Sequence, residues 1–488
     1  MALLHLAAGL LAAAAPTSAL TFNVPASAPT NASAQLAEAP VGLSLEFFTF
    51  PAYMNDVEAT KTCLQNLKEL TGTWPPIRIG GTTQDRATYD ASSSSAVTYT
   101  VSDPADAPSS LTFGPPFISL AADYDGHIII GLNRRLNNQS NTIAAATLAK
   151  DTIKNLYAIE LGNEPNFFTD SDPIADGGSW DAAADYKSQV AWQDAVCQNL
   201  STSDLISAGV YFGTSPMSIS GLSSVEDEAN DLVKDYCSHN YPQSPSTADL
   251  AGLMSHSGIA SQIQPFASEA SAAAAKGKAH IFGETNSATQ GGGGISPTYG
   301  AGLWILDYVM QTLLMGTQAL YFHQGTIGNY SPVYWMQAHS KGPYCWWGRY
   351  NMGAPYYGAY FATMALANAD QIAPLDDQTT PYAAYAIYQD GAPSRILLYN
   401  SEYYTNGTRP SQTFTVNGLT SSSVTAKRLT APYSTSRVDQ GQVPTVAGQT
   451  FANETCVIQG DEVIETSTVS SGSATFTLSA SEALLVYL

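Results

Sequence analysis

The chain has 488 residues, 44% of them apolar and only 12% charged, which is enough to bury a large core and too apolar for extended disorder. Its formal charge of −22, from 41 acidic against 19 basic residues, disfavours binding along nucleic acid or any other polyanion, because like charge raises the work of approach. No nucleic-acid partner is expected.

Residues 1–19, "MALLHLAAGLLAAAAPTSA", hold an apolar stretch closed by Thr17, Ser18 and Ala19. That is the pattern of a signal peptide, and it predicts a secreted, extracellular protein. An uncleaved anchor is the rival, but about 14 apolar residues fall short of a bilayer span, and no membrane partner is expected. Sequons at Asn31, Asn138, Asn199, Asn329, Asn406 and Asn453 suit a secreted glycoprotein. The five cysteines (Cys63, Cys197, Cys237, Cys345 and Cys456) lack CxxC or metal-finger spacing and predict one or two disulfide staples.

Residues 20–38 form an N-terminal segment, and "ALTFNVP", which starts at Ala19 and runs into it, is a short β-like run that can add a strand to a distant sheet. Over residues 39–367, apolar runs alternate with helical patterns: "VGLSLEFF", "IRIGG", "HIIIGL", "YAIELGN", "AGVYFG", "DYCSHNY", "AHIFGE" and "ALYFHQG". Between them, segments such as "VEATKTCLQNLKEL" repeat apolar residues every three or four positions. Eight βα units predict an α/β fold of the (β/α)8 TIM-barrel type, with a doubly wound sheet as the alternative. From 368 to 488 the texture turns to short alternating runs of Thr, Ser, Val and Tyr, which predict a C-terminal antiparallel β-sandwich.

Active sites of such barrels lie at the C-terminal ends of the strands. Glu164 follows the fourth candidate strand in "ELGNEPNFF", and Glu284 closes the seventh in "AHIFGETNSA". Three further strands fill the interval, so the two carboxyls are expected to face each other across the barrel mouth. Such a pair suits glycoside hydrolysis, in which one carboxyl protonates the leaving oxygen while the other attacks or activates water. His239, in "SHNYP", is expected to line the same mouth. Arg78 and Asp85, in "IRIGGTTQDR", are expected to form a structural ion pair. Trp335, Trp346 and Trp347 either line the entrance or pack in the core. The histidines show no metal-binding rhythm and no nucleotide fingerprint is present, so neither metal nor cofactor is expected.

Together "ELGNEPNFF" and "FGETNSATQGGGG" resemble glycoside hydrolase family 79, which includes β-glucuronidases and heparanase-like enzymes. The resemblance implies that Glu164 is the acid/base, Glu284 the nucleophile, and Asn163 a partner of the sugar 2-hydroxyl. It also implies that Gly291 and Gly292 offer backbone N–H groups to a uronic-acid carboxylate, with Tyr330 as a further donor. Tyr241 would hold the nucleophile ionised, and Glu46 would grip sugar hydroxyls. Cleavage inside a sulphated chain needs many cations, which 19 basic residues do not supply. The expectation is therefore a monomeric, retaining, exo-acting β-glucuronidase that takes terminal glucuronic acid, or its 4-O-methyl form, from a largely neutral glycan such as arabinogalactan. A retaining β-glucosidase or β-xylosidase of the same clan, or a carbohydrate-binding protein without turnover, is the alternative.

Overall fold

The computed structural model describes residues 19–102, 107–290, 292–325 and 345–488. Eight parallel strands close into a barrel: β1 (Val41–Glu46), β2 (Ile77–Gly80), β3 (Ile128–Leu132), β4 (Leu156–Leu161), β5 (Ile206–Phe212), β6 (Val233–Asn240), β7 (Ala279–Thr285) and β8 (Thr317–Gln324). Each pairs with its sequence neighbours, and β8 closes on β1 with Phe322 opposite Leu43. The doubly wound alternative is ruled out by that closure.

Strand and helix ends follow local chemistry. The helix Ala182–Leu200 starts where the Asp181 side chain accepts from the Ala184 N–H, and Tyr299–Met315 starts where Thr298 accepts from Ala301. All but two residues of Tyr299–Met315 are buried, although a helix on the outside of a barrel normally shows one face to water. Its outer face is covered by the C-terminal domain.

That domain is a sandwich of two sheets. The larger runs in the order Gln371–Pro374, Tyr382–Gln389, Ala392–Asn400, Glu482–Tyr487, Ser423–Thr430 and Thr445–Val446, with Glu465–Thr468 pairing on Ser423–Thr430. The smaller contains Ser411–Asn417, Ser473–Ser479 and the N-terminal strand Leu20–Asn23. "ALTFNVP" thus contributes the expected strand, although it lies parallel to Ser411–Asn417 in an otherwise antiparallel domain.

The strand "YAAYAIYQ" shows why the two domains act as one body. Ala384, Ala386 and Tyr388 face the core between the sheets, whereas Ala383, Tyr385 and Ile387 join the core that continues into the barrel. Alternation with period two therefore reads as continuous burial. A Cys63–Cys456 disulfide ties the helix Ala59–Thr71 to the sandwich, while Cys197, Cys237 and Cys345 are free and buried. No helix among the described residues is long and apolar enough to cross a membrane.

Candidate active site

The end of β4 is built for display. Gly162 turns the chain at φ +85°, and Glu164 itself takes a left-handed conformation at φ +49°, uncommon for a residue with a side chain. Pro165 then opens a one-turn helix whose Phe167 N–H donates to the Glu164 carbonyl. Trp180 Nε1 donates to the Pro165 carbonyl at 2.8 Å and braces the turn. Strain of this kind is retained where surrounding contacts over-determine a functional side chain.

Glu164 and Glu284 point into one cleft of about 400 Å³, lined also by Glu46, Tyr241 and His323, with Phe167 and Phe212 on its wall. An oxygen of each, together with a ring nitrogen of His239, lies within 4.8 Å of the others. His239 Nδ1 is 3.0 Å from Glu164 Oε1, and the Tyr241 hydroxyl donates to Glu284 Oε1 at 2.7 Å.

Beneath the carboxyls lies Arg78, fully buried in β2. Its Nη1 donates to Glu284 Oε2 at 2.7 Å and to Ser44 Oγ at 3.1 Å, its Nε donates to Glu160 Oε2 at 2.8 Å, and its Nη2 donates to Asn163 Oδ1 at 2.8 Å. This corrects the expected Arg78–Asp85 ion pair. Asp85 instead accepts the backbone N–H groups of Asn163, Arg134 and Arg135, and so fixes the loop that carries Asn163 and Glu164. With Oδ1 held by Arg78, Asn163 has its Nδ2 left to donate to a ligand.

The surroundings split the two carboxyls. Burial, then the facing charge of Glu284, pushes Glu164 up to about 8, so it carries a proton in neutral water. Burial would raise Glu284 as well, but His323, His239, Arg78 and the Tyr241 hydrogen bond outweigh it and hold Glu284 down at about 2. Burial lowers His239 to about 4 and keeps it neutral. His323 is raised: burial opposes its charge, but Glu284 and Glu46 outweigh that effect. A neutral carboxyl thus faces an ionised one across a gap that matches the roughly 5 Å of retaining glycosidases better than the wider inverting gap.

Glu46 ends β1 at the cleft, where its Oε1 accepts from the Thr83 N–H and hydroxyl, and His323 Nε2 stands 3.3 Å from its Oε2. Gly81, at φ +102°, is required here, since a Cβ would sit 2.5 Å from Glu46 Oε2. Gly292 departs from expectation. The glycine run curls into a short turn over Gly292–Gly294, the Gly292 N–H donates to the Thr289 carbonyl, and Thr289 and Gln290 line the cleft in its place. Gly291, Tyr330 and Trp335 lie outside the described residues. Trp346 and Trp347 are core residues, and Trp347 Nε1 donates to Thr60 Oγ1.

Sequence reading missed Arg78, Ser44 and His323 as neighbours of Glu284. One signal was available: "IRIG" and "YAIEL" each carry a charge inside a buried strand, and buried charges are paired.

A barrel with a proton-bearing and an ionised carboxyl facing each other at its mouth defines a glycosidase of the (β/α)8 class. Comparison with known proteins agrees. Residues 384–485 match the glycosyl hydrolase family 79 C-terminal beta domain. The chain is 29% identical over 455 residues to a β-glucuronidase of Neurospora crassa, covering 81% of this chain and 78% of the relative. It is 28% identical over 422 residues to a β-glucuronidase of Aspergillus niger, covering 78% and 75%. The crystal structure of a 4-O-α-L-rhamnosyl-β-D-glucuronidase from Fusarium oxysporum 12S, in complex with Rha-GlcA, superposes with a TM-score of 0.93 at 71% identity, covering 96% of this chain and all of that one. A family 51 α-L-arabinofuranosidase of Bifidobacterium longum, at 13% identity and a TM-score of 0.63, shares the fold. The chain belongs to glycoside hydrolase family 79.

Proposed function

We propose that the chain is a secreted, retaining, exo-acting β-glucuronidase whose substrate is a glycan ending in β-linked glucuronic acid, and that it accepts this sugar with a 4-O-α-L-rhamnosyl cap. One observation carries the mechanism: Glu164 is held neutral and Glu284 ionised within 4.8 Å of each other. The Fusarium relative, 71% identical, supports the capped sugar as substrate.

In the first step Glu164 gives its proton to the glycosidic oxygen while Glu284 attacks the anomeric carbon, so that the leaving alcohol departs and a glycosyl ester forms. His323, Arg78 and the Tyr241 hydroxyl keep Glu284 anionic until then. As negative charge leaves Glu284 for the ester, the raised pKa of Glu164 loses its electrostatic cause and the carboxylate can take a proton from water. Water then opens the ester with retention. Asn163 Nδ2 donates to the sugar 2-hydroxyl oxygen in this reading, supported by Arg78 holding the other end of the amide, and that contact strengthens in the transition state.

Secretion is supported by the leader-like residues 1–19 and by a disulfide, which persists in oxidising compartments. Five sequons, at Asn31, Asn138, Asn199, Asn406 and Asn453, are exposed, as glycosylation requires.

The test compares aryl β-glucuronides that are unsubstituted, 4-O-methylated and 4-O-rhamnosylated with the aryl β-glucoside and β-xyloside. The rhamnosylated glucuronide is expected to give the highest kcat/KM. A preference for a neutral glycoside would overturn the assignment to glucuronic acid. Product of inverted configuration would overturn the covalent step.

A further inference from the structure

A second cavity, of about 600 Å³, opens at the opposite, N-terminal face of the barrel, where the loops before β2 and β3 meet the first residues of β4. It is larger than the catalytic cleft, and none of the residues named in the mechanism touches it. The barrel interior is normally filled by side chains. Here the small side chains of Ala319 and Ala39 leave room, and Trp74, His127, Tyr157 and Tyr321 form the walls.

Two features give the cavity a chemistry. Tyr321 is 3% exposed and lines the space, and its hydroxyl is not among the buried polar atoms left without a partner, as expected of a group that reaches the cavity. A phenol that reaches the cavity can donate to, or accept from, a ligand hydroxyl. Glu38 and Asp125 add carboxylates, with Glu38 Oε2 accepting from Thr73 Oγ1 at 2.8 Å; no Lys or Arg lines the cavity, and the ammoniums of Lys68 and Lys234 stand behind its walls, over the Trp74 ring at 4.7 Å and the Tyr157 ring at 5.1 Å. His127 stacks on Tyr157 at 5.3 Å, and Trp74 meets Tyr124 edge-on at 5.5 Å, so the aromatic walls are held in place by their neighbours.

Rigid aromatic surface, carboxylate acceptors, a phenol at the cavity wall and no lining Lys or Arg suit a ligand with C–H faces and several hydroxyls and no negative charge. An anionic sugar meets two carboxylates there. We propose that this cavity is a non-catalytic binding site for a neutral pyranose of the glycan on which the enzyme acts. The proposal rests on the glycan-hydrolase reading given above for the nature of the ligand. The two sites lie about 20 Å apart through the barrel, at a rise of about 3.3 Å per strand residue. A branched polymer held at one face would raise the local concentration of its other ends near the enzyme.

The experiment uses the full chain carrying Glu284→Gln, so that nothing is turned over, with galactobiose and xylobiose as probes in saturation-transfer NMR and calorimetry. Weak binding of at least one is expected, undisturbed by excess glucuronic acid in the catalytic cleft. Adding Trp74→Ala should weaken that binding at least tenfold, and Tyr321→Phe, which preserves the packing, at least threefold. Absence of binding, displacement by glucuronic acid, or equal affinity in the folded variants would each overturn the proposal. On an otherwise unaltered chain, Trp74→Ala and Tyr321→Phe should leave turnover of an aryl glucuronide unchanged. Failure of the wild-type chain to cleave that substrate refutes the glucuronidase reading and leaves the binding result to be judged alone.

Discussion

Arg78 Nη1 donates to Glu284 Oε2 at 2.7 Å from a guanidinium with no solvent exposure, so the ionised carboxyl of the cleft rests on a buried cation. The same guanidinium holds Glu160 and Asn163. One side chain therefore both joins His323 and His239 in holding Glu284 ionised and orients the amide beside Glu164.

Removal of either proposed catalytic carboxyl should have a separable effect. Glu164→Ala is expected to cost about 10²–10⁴-fold in kcat with an alcohol leaving group and far less with an activated one, because general-acid help is then unnecessary. Azide should restore part of the rate. Glu284→Ala should abolish turnover of both substrates. Equal losses on the two leaving groups for Glu164→Ala would contradict its assignment as the acid.

Arg78→Met leaves Glu160 and Glu284 buried without their counter-charge, and removing one partner of a buried pair costs about 3–5 kcal/mol. Adding Glu160→Gln should recover part of that stability in urea melts without restoring activity. Recovery of activity in the double variant would show that Arg78 serves only the fold.

Tyr241→Phe should lower kcat about tenfold to a hundredfold, the worth of a hydrogen bond of about 1.5–3 kcal/mol to a charged group. The acidic limb of the pH–rate profile should move upward, since Glu284 loses a donor that favours its ionised form. An unmoved limb would assign Tyr241 to packing alone.

Glu164 makes the chain sensitive to alkali. Its folded pKa, raised to about 8 from the ordinary 4.5, means that the native state binds the proton more tightly than the unfolded chain. Stability from this group is complete below about 4.5 and is lost as pH rises through about 8. Glu164→Gln should therefore raise Tm at about pH 9 and change it little at about pH 4. A uniform shift at both would show that charge is not the cause.

Barrel and sandwich meet at His256, whose Nδ1 lies 2.8 Å from Asp307 and whose Nε2 lies 2.9 Å from Asp376. Burial opposes its charge, but the two carboxylates outweigh that and raise it to about 10. The contribution is full below the ordinary 6.5 and fades as pH climbs through about 10. His256→Gln is expected to destabilise the chain by about 3–5 kcal/mol at neutral pH, measured by denaturant unfolding, with a smaller deficit at about pH 10.

What the sequence by itself determined was periodic. Runs such as "HIIIGL" read as strands buried on both faces, in a barrel or a doubly wound sheet, and "SATFTLS", with every second residue buried, reads as a one-faced sheet strand. Glu164 and Glu284 were legible for the same reason: a carboxyl at the C-terminal end of a buried barrel strand stands at the mouth. Tertiary structure alone decided the partners. Arg78 is 82 residues from Glu160 and 206 from Glu284, and no local pattern encodes such a meeting. The curl of the glycine run was hidden too, because glycine permits many backbone paths and the neighbouring Thr289 carbonyl selects one. Charge separation between the two glutamates likewise arose from burial and neighbours, which exist only once the barrel has closed.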